Sequence, residues 1–239
     1  MNSTTTALVT GANKGLGRET VRSLAAKGWR VFLAARDADR GKTAAAELAE
    51  SGADVEFVHL DVTSAESVAA AVAAVRERTD HLDVLVNNAA IGGTFAAPPE
   101  CVAADFREVF ETNVFGVVEV THAFLPLLRA AAVPRIVMVS SGIGSLSRTS
   151  DPERIESTLL GLPYPSSKTA LLAITSQYAR ALPEFRINAV DPGYTATDLN
   201  NNSGLQTVTE GTDAIVGLAS IGPDGPTCGF FDRVGPVPW

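Results

Sequence analysis

The chain has 239 residues, of which 46% are hydrophobic and 19% charged, and its formal net charge is −8. That length suits one α/β domain or two small ones and supplies ample apolar surface for a core. The acidic balance repels phosphate backbones and argues against a nucleic-acid partner.

Residues Met1 to Thr6 are polar and lack a signal-peptide pattern, and no run approaches about 18 uncharged apolar residues, so no membrane partner is expected. Short apolar runs then alternate with Ala-rich stretches. Ala7 to Val9 predicts a first strand, and Lys14 to Lys27 a helix stopped by Gly28. Arg30 to Ala34 is the second strand, followed by a helix over Asp39 to Glu50 that Gly52 ends. Val55 to Leu60 is the third strand, and Ser64 to Arg78 a helix capped by Thr63 or Ser64. Val84 to Val86 is a fourth, wholly apolar strand. A long helix is expected over Ala103 to Ala130, bent or broken where Pro126 removes a backbone donor. Arg135 to Val139, Tyr164 to Ala181 and Ile187 to Val190 read as strand, helix and strand. A last helix near Glu210 to Ser220 precedes an edge strand at Cys228 to Asp232 and an irregular Gly/Pro-rich tail.

Continuous apolar strands separated by helices predict a parallel sheet buried on both faces. Right-handed crossovers then give a doubly wound, Rossmann-type α/β fold, a single domain over residues 1–239. Cys101 and Cys228 form no CxxC pair and read as reduced thiols of a cytoplasmic protein. His59, His81 and His122 have no metal-ligand spacing, so no metal is expected.

The first strand runs into Thr10-Gly11-Ala12-Asn13-Lys14-Gly15-Leu16-Gly17, and that loop runs into a helix. Gly11 can make the turn, while Gly15 and Gly17 let a pyrophosphate approach the backbone. The helix N-terminus offers unpaired N–H groups and a positive dipole end. An NAD-selective site places an acidic residue at the end of the second strand. Here Ala35 and Arg36 stand there, and with Lys14 they favour the 2′-phosphate of NADP(H) over NAD(H). Asp61, just past the third strand, can accept from an adenine amino group or cap the following turn, and the roles can coexist.

Tyr164 and Lys168 lie four residues apart on one helix face, with Pro165 in its first turn. A nearby ammonium favours the phenolate and would bring this tyrosine toward working pH as a general acid–base. Ser141 ends the fifth strand, and Asn87-Asn88 and Asp191-Pro192-Gly193 follow the fourth and sixth. All lie at carboxyl ends of strands, where open α/β sheets bind ligands.

Over nearly its whole length the sequence resembles the short-chain dehydrogenase/reductase family. The matching motifs are Thr10 to Gly17, Asn87-Asn88-Ala89, Asn113, Ser141, Tyr164 with Lys168, and Pro192-Gly193. Asn13-Lys14 and Ala35-Arg36 look most like the NADPH-dependent, carbonyl-reductase-type members. The resemblance implies that Tyr164 transfers the proton and that Lys168 binds the nicotinamide ribose and lowers the tyrosine pKa. Ser141 would hold the substrate oxygen, and Asn113 a water linking Lys168 to solvent. Leu16 in the loop and Val62 beside Asp61 complete the cofactor contacts. Asn88 and Ala89 would line the adenosine ribose. Pro192 to Thr197 would hold the carboxamide and phosphates through backbone groups and the Thr195 or Thr197 hydroxyl.

Two departures stand out. Ala90 replaces the usual glycine after Asn-Asn-Ala, with a Cβ that could crowd the turn. The interval from Ser141 to Tyr164 is long, and the charges of Asp151-Pro152-Glu153-Arg154 suggest a solvent-facing insert over Arg148 to Pro163. In carbonyl-reductase-type members such an insert can block oligomer contacts, which leaves monomer and homo-oligomer both open. The expected activity is NADP(H)-dependent hydride transfer to or from a small-molecule ketone, aldehyde or secondary alcohol. Two rivals are a non-catalytic dinucleotide-sensing protein and a dehalogenase-type relative, which would lack the intact glycine loop and the lysine.

Overall fold

A computed structural model describes residues 4–94 and 96–239; the expectation for the polar start thus lies partly outside the described residues. One eight-stranded sheet organises the chain, in the order β3-β2-β1-β4-β5-β6-β7-β8. The strands are β1 (Thr6–Val9), β2 (Arg30–Ala35), β3 (Val55–His59), β4 (Val84–Asn87), β5 (Arg135–Val139), β6 (Arg186–Val190), β7 (Phe230–Asp232) and β8 (Gly235–Pro236). All neighbouring pairs through β7 are parallel, and only β7–β8 is antiparallel.

The helices are α1 (Gly15–Ala25), α2 (Ala38–Ala49), α3 (Ala65–Arg76), α4 (Ala103–Phe110), α5 (Gly116–Arg129), α6 (Leu146–Thr149), α7 (Pro163–Ala181) and α8 (Val208–Ala219). Strand alternation divides the core into two layers. Leu8, Phe32, Leu85, Ile136 and Ile187 face one side, where they meet Val68 and Val72 of α3, Phe124 of α5 and Leu171 of α7. Val9, Val31, Val86 and Val137 face the other, against Leu24 of α1, Leu48 of α2 and Ile215 of α8. Each such fully buried side chain contributes about 1.5–3 kcal/mol. Being apolar on both faces, the strands read as continuous hydrophobic runs, and the two-sided Rossmann-type arrangement follows.

Three expectations need correction. The long helix does not break at Pro126, which sits inside α5. Pro126 and His122 both lie on the exposed side, so water can reach the His122 carbonyl that the proline leaves unpaired. The interruption is a π-turn at Glu111–Phe115, which lets three consecutive residues, Thr112, Asn113 and Val114, all be buried. The tail is irregular over 221–229 and 237–239 as expected, but β7 is not an edge. The buried Asn188 side chain of β6 donates to the Pro226 carbonyl and accepts from the Gly229 amide, and β8 then covers β7. The edge thus falls on the two-residue β8, where Pro236 needs no ladder donor.

The insert is the third. Residues Pro152 to Arg154 are exposed as expected, but Arg148 and Glu156 are only 8% accessible each. Arg148 is held by three carboxylates, Glu156 at 3.2 Å, Asp191 at 2.8 Å and Asp232 at 2.6 Å, so the segment is pinned inward at its start and at its middle.

Candidate active site

The strand order reverses between β1 and β4, the switch point where an open α/β sheet leaves a crevice. A cleft of 1340 Å³ opens there along the carboxyl ends of the strands. That exceeds the roughly 300–1,000 Å³ typical of a single small ligand. It is lined by Gly11, Asn13, Lys14, Gly15, Leu16 and Gly17 of the loop, then by Arg36, Asp61, Val62, Asn88 and Ala89. Ser141, Tyr164, Lys168, Pro192, Gly193, Thr195 and Thr197 line its other half.

Of the predicted residues only Asn113 stands behind the wall. The π-turn carries it inward, where its carboxamide is fully engaged. Its Oδ1 accepts from the Ile91 amide, and its Nδ2 donates to the Ile91 carbonyl and to Ser167 Oγ. Ile91 and Ser167 were not singled out by sequence, because a backbone partner and a serine inside a helix carry no signal of their own.

The loop fits a pyrophosphate. Helices α2 and α3 are capped by the side chains of Asp37 and Ser64 and have an acidic residue in the first turn. Helix α1 has neither, so its first N–H groups and dipole end are left for an outside anion. Gly11 adopts φ +63, and a Cβ there would sit 2.8 Å from the Ala89 backbone. Gly17 is required for a different reason than the one the sequence suggests. A Cβ at Gly17 would lie 2.6 Å from both Asn88 Nδ2 and the Gly11 carbonyl, so it would push the loop off β4 rather than block a ligand. Asn88 holds this junction by donating to the Thr10 and Gly11 carbonyls. Gly17→Ala is therefore expected to weaken dinucleotide binding at least tenfold, measured by fluorescence titration. Ala90 lies outside the left-handed region, and its Cβ imposes no backbone strain.

The cations near the loop are not equivalent. Lys14 is paired with Asp198 at 2.6 Å, both more than half exposed, whereas Arg36 is exposed at the mouth. Asp61 Oδ1 accepts from the amide and the hydroxyl of Thr63, so the capping role is realised. Burial raises the Asp61 carboxyl, but these bonds and the nearby Arg36 outweigh it and hold it below its usual value.

At the other end of the cleft, Lys168 is buried and its Nζ donates to the Val139 carbonyl at 2.8 Å. Burial pulls this ammonium down to about 8. Its Nζ lies 5.4 Å from the Tyr164 ring centroid. Tyr164 is pushed well above its ordinary value by burial first and then by the Asp191 carboxylate, while a hydrogen bond with Ser141 pulls the other way. The expectation that Lys168 lowers this pKa is thus not met in the free protein, where desolvation and an anion dominate. Ser140, the neighbour of Ser141, points inward and donates to the Lys168 carbonyl.

Residues 5–207 match the family model for short chain dehydrogenase. The chain belongs to the short-chain dehydrogenase family. As a member it is an oxidoreductase that interconverts carbonyls and alcohols with a nicotinamide dinucleotide. It is 32% identical to a (+)-neomenthol dehydrogenase of Capsicum annuum, over 97% of this chain and 96% of the relative. That alignment spans 302 positions against 239 residues here, so at least 63 positions of the relative have no counterpart in this chain. A short-chain dehydrogenase of Penicillium roqueforti is 37% identical over 223 positions, covering 90% of this chain and 88% of the relative. Among solved structures, salutaridine reductase of Papaver somniferum superposes with a TM-score of 0.82 at 29% identity, covering 95% of this chain and 99% of that one. An alcohol dehydrogenase of Thermococcus sibiricus, complexed with 5-hydroxy-NADP, gives 0.82 at 28% identity over 96% of each chain. Among the described residues, no helix is long and apolar enough to cross a membrane, and no cluster is arranged to hold a metal.

Proposed function

We propose that this short-chain dehydrogenase reduces bulky, apolar ketones with NADPH, with Tyr164 as proton donor. The observation that carries the reading is the grouping of Tyr164, Ser141 and Lys168 in one cleft with an uncapped helix terminus. A dinucleotide bound between them supplies the hydride. Tyr164 then donates the phenolic proton to the carbonyl oxygen, which becomes strongly basic as it gains charge. Its raised pKa keeps the phenol protonated until that moment. Ser141 orients the same oxygen. Lys168 supplies positive charge beneath the tyrosine and a donor toward the nicotinamide ribose. Asn113 holds the π-turn against Ile91 and Ser167 and anchors a water that links Lys168 to solvent.

On the adenosine side, Gly11, Asn13, Gly15, Leu16 and Gly17 cradle the phosphates, while Asp61, Val62, Asn88 and Ala89 border the adenosine. Pro192, Gly193, Thr195 and Thr197 border the nicotinamide and phosphates. Arg36, with Lys14 released from Asp198, holds the 2′-phosphate. The structure in complex with 5-hydroxy-NADP supports the choice of NADP(H). Arg36→Ala is expected to weaken NADPH at least tenfold, the scale of a charge-assisted contact, and NADH less than twofold. Equal losses for both would sink the 2′-phosphate role.

The cleft mouth supports the substrate class. Ile155, Leu159 and Leu160 on the insert face the opening together with Tyr194 and Leu199 after β6, and all are exposed large hydrophobics. Such apolar jaws favour a substrate that buries them. The names of the neomenthol dehydrogenase and of salutaridine reductase point to ring-bearing organic substrates of this kind. The test follows NADPH absorbance with cyclic monoterpenoid ketones, short aliphatic ketones and keto acids. Turnover should be highest, by kcat/KM, for the cyclic ketones. Tight NADPH binding with no turnover of any carbonyl would favour the non-catalytic sensor instead.

A further inference from the structure

The insert holds a charge cluster that the reaction scheme above does not use. Arg148 of α6 is 8% exposed and reaches Asp191 at the end of β6, Asp232 of β7 and Glu156 of the insert. Arg154 backs Glu156 at 2.9 Å from the solvent side. Asp191 is 6% exposed, and its Oδ1 accepts from the Gly193 amide. Gly142 directly follows Ser141, and a Cβ on it would lie 2.7 Å from Asp191 Oδ2 and 3.2 Å from Arg148 Nη1. The cluster thus sits directly under the segment that carries Ser141. Tyr164 of α7 lines the same cleft as Asp191.

Three carboxylates against two guanidinium groups make a costly arrangement in a buried site. If it were only a staple for the insert, Glu156 and Asp232 would serve, and neither needs to be beside the reacting tyrosine. Asp191 is the member whose charge reaches Tyr164. We propose that Arg148 is a positioning residue for proton transfer: it neutralises Asp191 beside Tyr164 and fixes the Ser141–Gly142 segment. This rests on the assignment of Tyr164 as the acid–base.

In alcohol oxidation Tyr164 must be deprotonated, so the acid limb of the kcat pH profile reports the tyrosine with its coupled neighbour Lys168. Arg148→Met removes the countercharge of Asp191, whose carboxyl burial already raises; in the alkaline range where Asp191 stays ionised, its uncompensated charge disfavours the phenolate, so the limb should move up by about one pH unit. Asp191→Asn removes the anion, and the limb should move down by a similar amount. Arg148→Lys should restore much of the wild-type profile. A purely structural role predicts loss of activity with unmoved limbs, or displacement in the same direction. Either result in folded protein overturns the proposal, and if Arg148→Met fails to fold, Asp191→Asn decides alone. Tyr164→Phe separates the two ideas. If it stays active, the acid–base assignment has failed; if it is inactive while the limbs of Arg148→Met and Asp191→Asn stay at their wild-type positions, only the role of Arg148 has failed.

Discussion

Tyr164→Phe is expected to lower kcat for ketone reduction by at least about a thousandfold, within the range for loss of a general acid. NADPH affinity should stay within about threefold. The ring keeps its packing at the start of α7, and only the hydroxyl is lost, so folding is preserved. With no proton to deliver, charge building on the substrate oxygen has only the Ser141 hydroxyl for support. Steady-state absorbance assays give kcat, and quenching of protein fluorescence gives the cofactor Kd. Residual turnover above about a tenth of wild type would move the acid role to another group.

Lys168→Met should separate activity from stability. Turnover should fall by at least about a hundredfold, because the positive charge beneath Tyr164 is gone. The free protein should nevertheless become more stable below pH 8. Among the described residues the buried Lys168 ammonium has one hydrogen-bond partner, the Val139 carbonyl, and its folded-state pKa is depressed to about 8 from 10.5. Below pH 8 the folded state therefore carries a desolvated charge that costs on the order of 3 kcal/mol. Between about pH 8 and 10.5 the unfolded chain holds a proton that the folded chain has released, so wild-type stability gains with rising pH. The advantage of Lys168→Met should shrink over that window in thermal melts. A variant less stable than wild type at pH 7 would show that the lysine is better solvated than its burial implies.

Much of this was legible in the chain because the sheet is buried on both faces. Val84 to Val86 and Arg135 to Val139 read as strands without any alternation to interpret. The glycine loop and the Tyr164–Lys168 pair were legible because local spacing sets their geometry. What escaped were features fixed by distant partners. Nothing around Arg148 announces that Asp191 and Asp232 will meet it, since they are 43 and 84 residues away. The depressed Lys168 and raised Tyr164 depend on burial by other elements, which a four-residue spacing does not encode. Pro126 misled for the opposite reason: a strong local signal was absorbed by a solvent-facing carbonyl.

The π-turn at Glu111–Phe115 acts as a phase shifter between two helices that serve different neighbours. One residue of slack in the winding rotates everything after it by about 100°, one residue's step on a helix of 3.6 per turn. Helix α4 can then pack on α7 while α5 turns its own apolar stripe onto α3. Removing a single residue from this turn would shorten the chain trivially, yet put the two stripes out of register along their whole length. A deletion scan through residues 108–118 should therefore be punished far more severely than substitutions at the exposed Glu111 or Phe115.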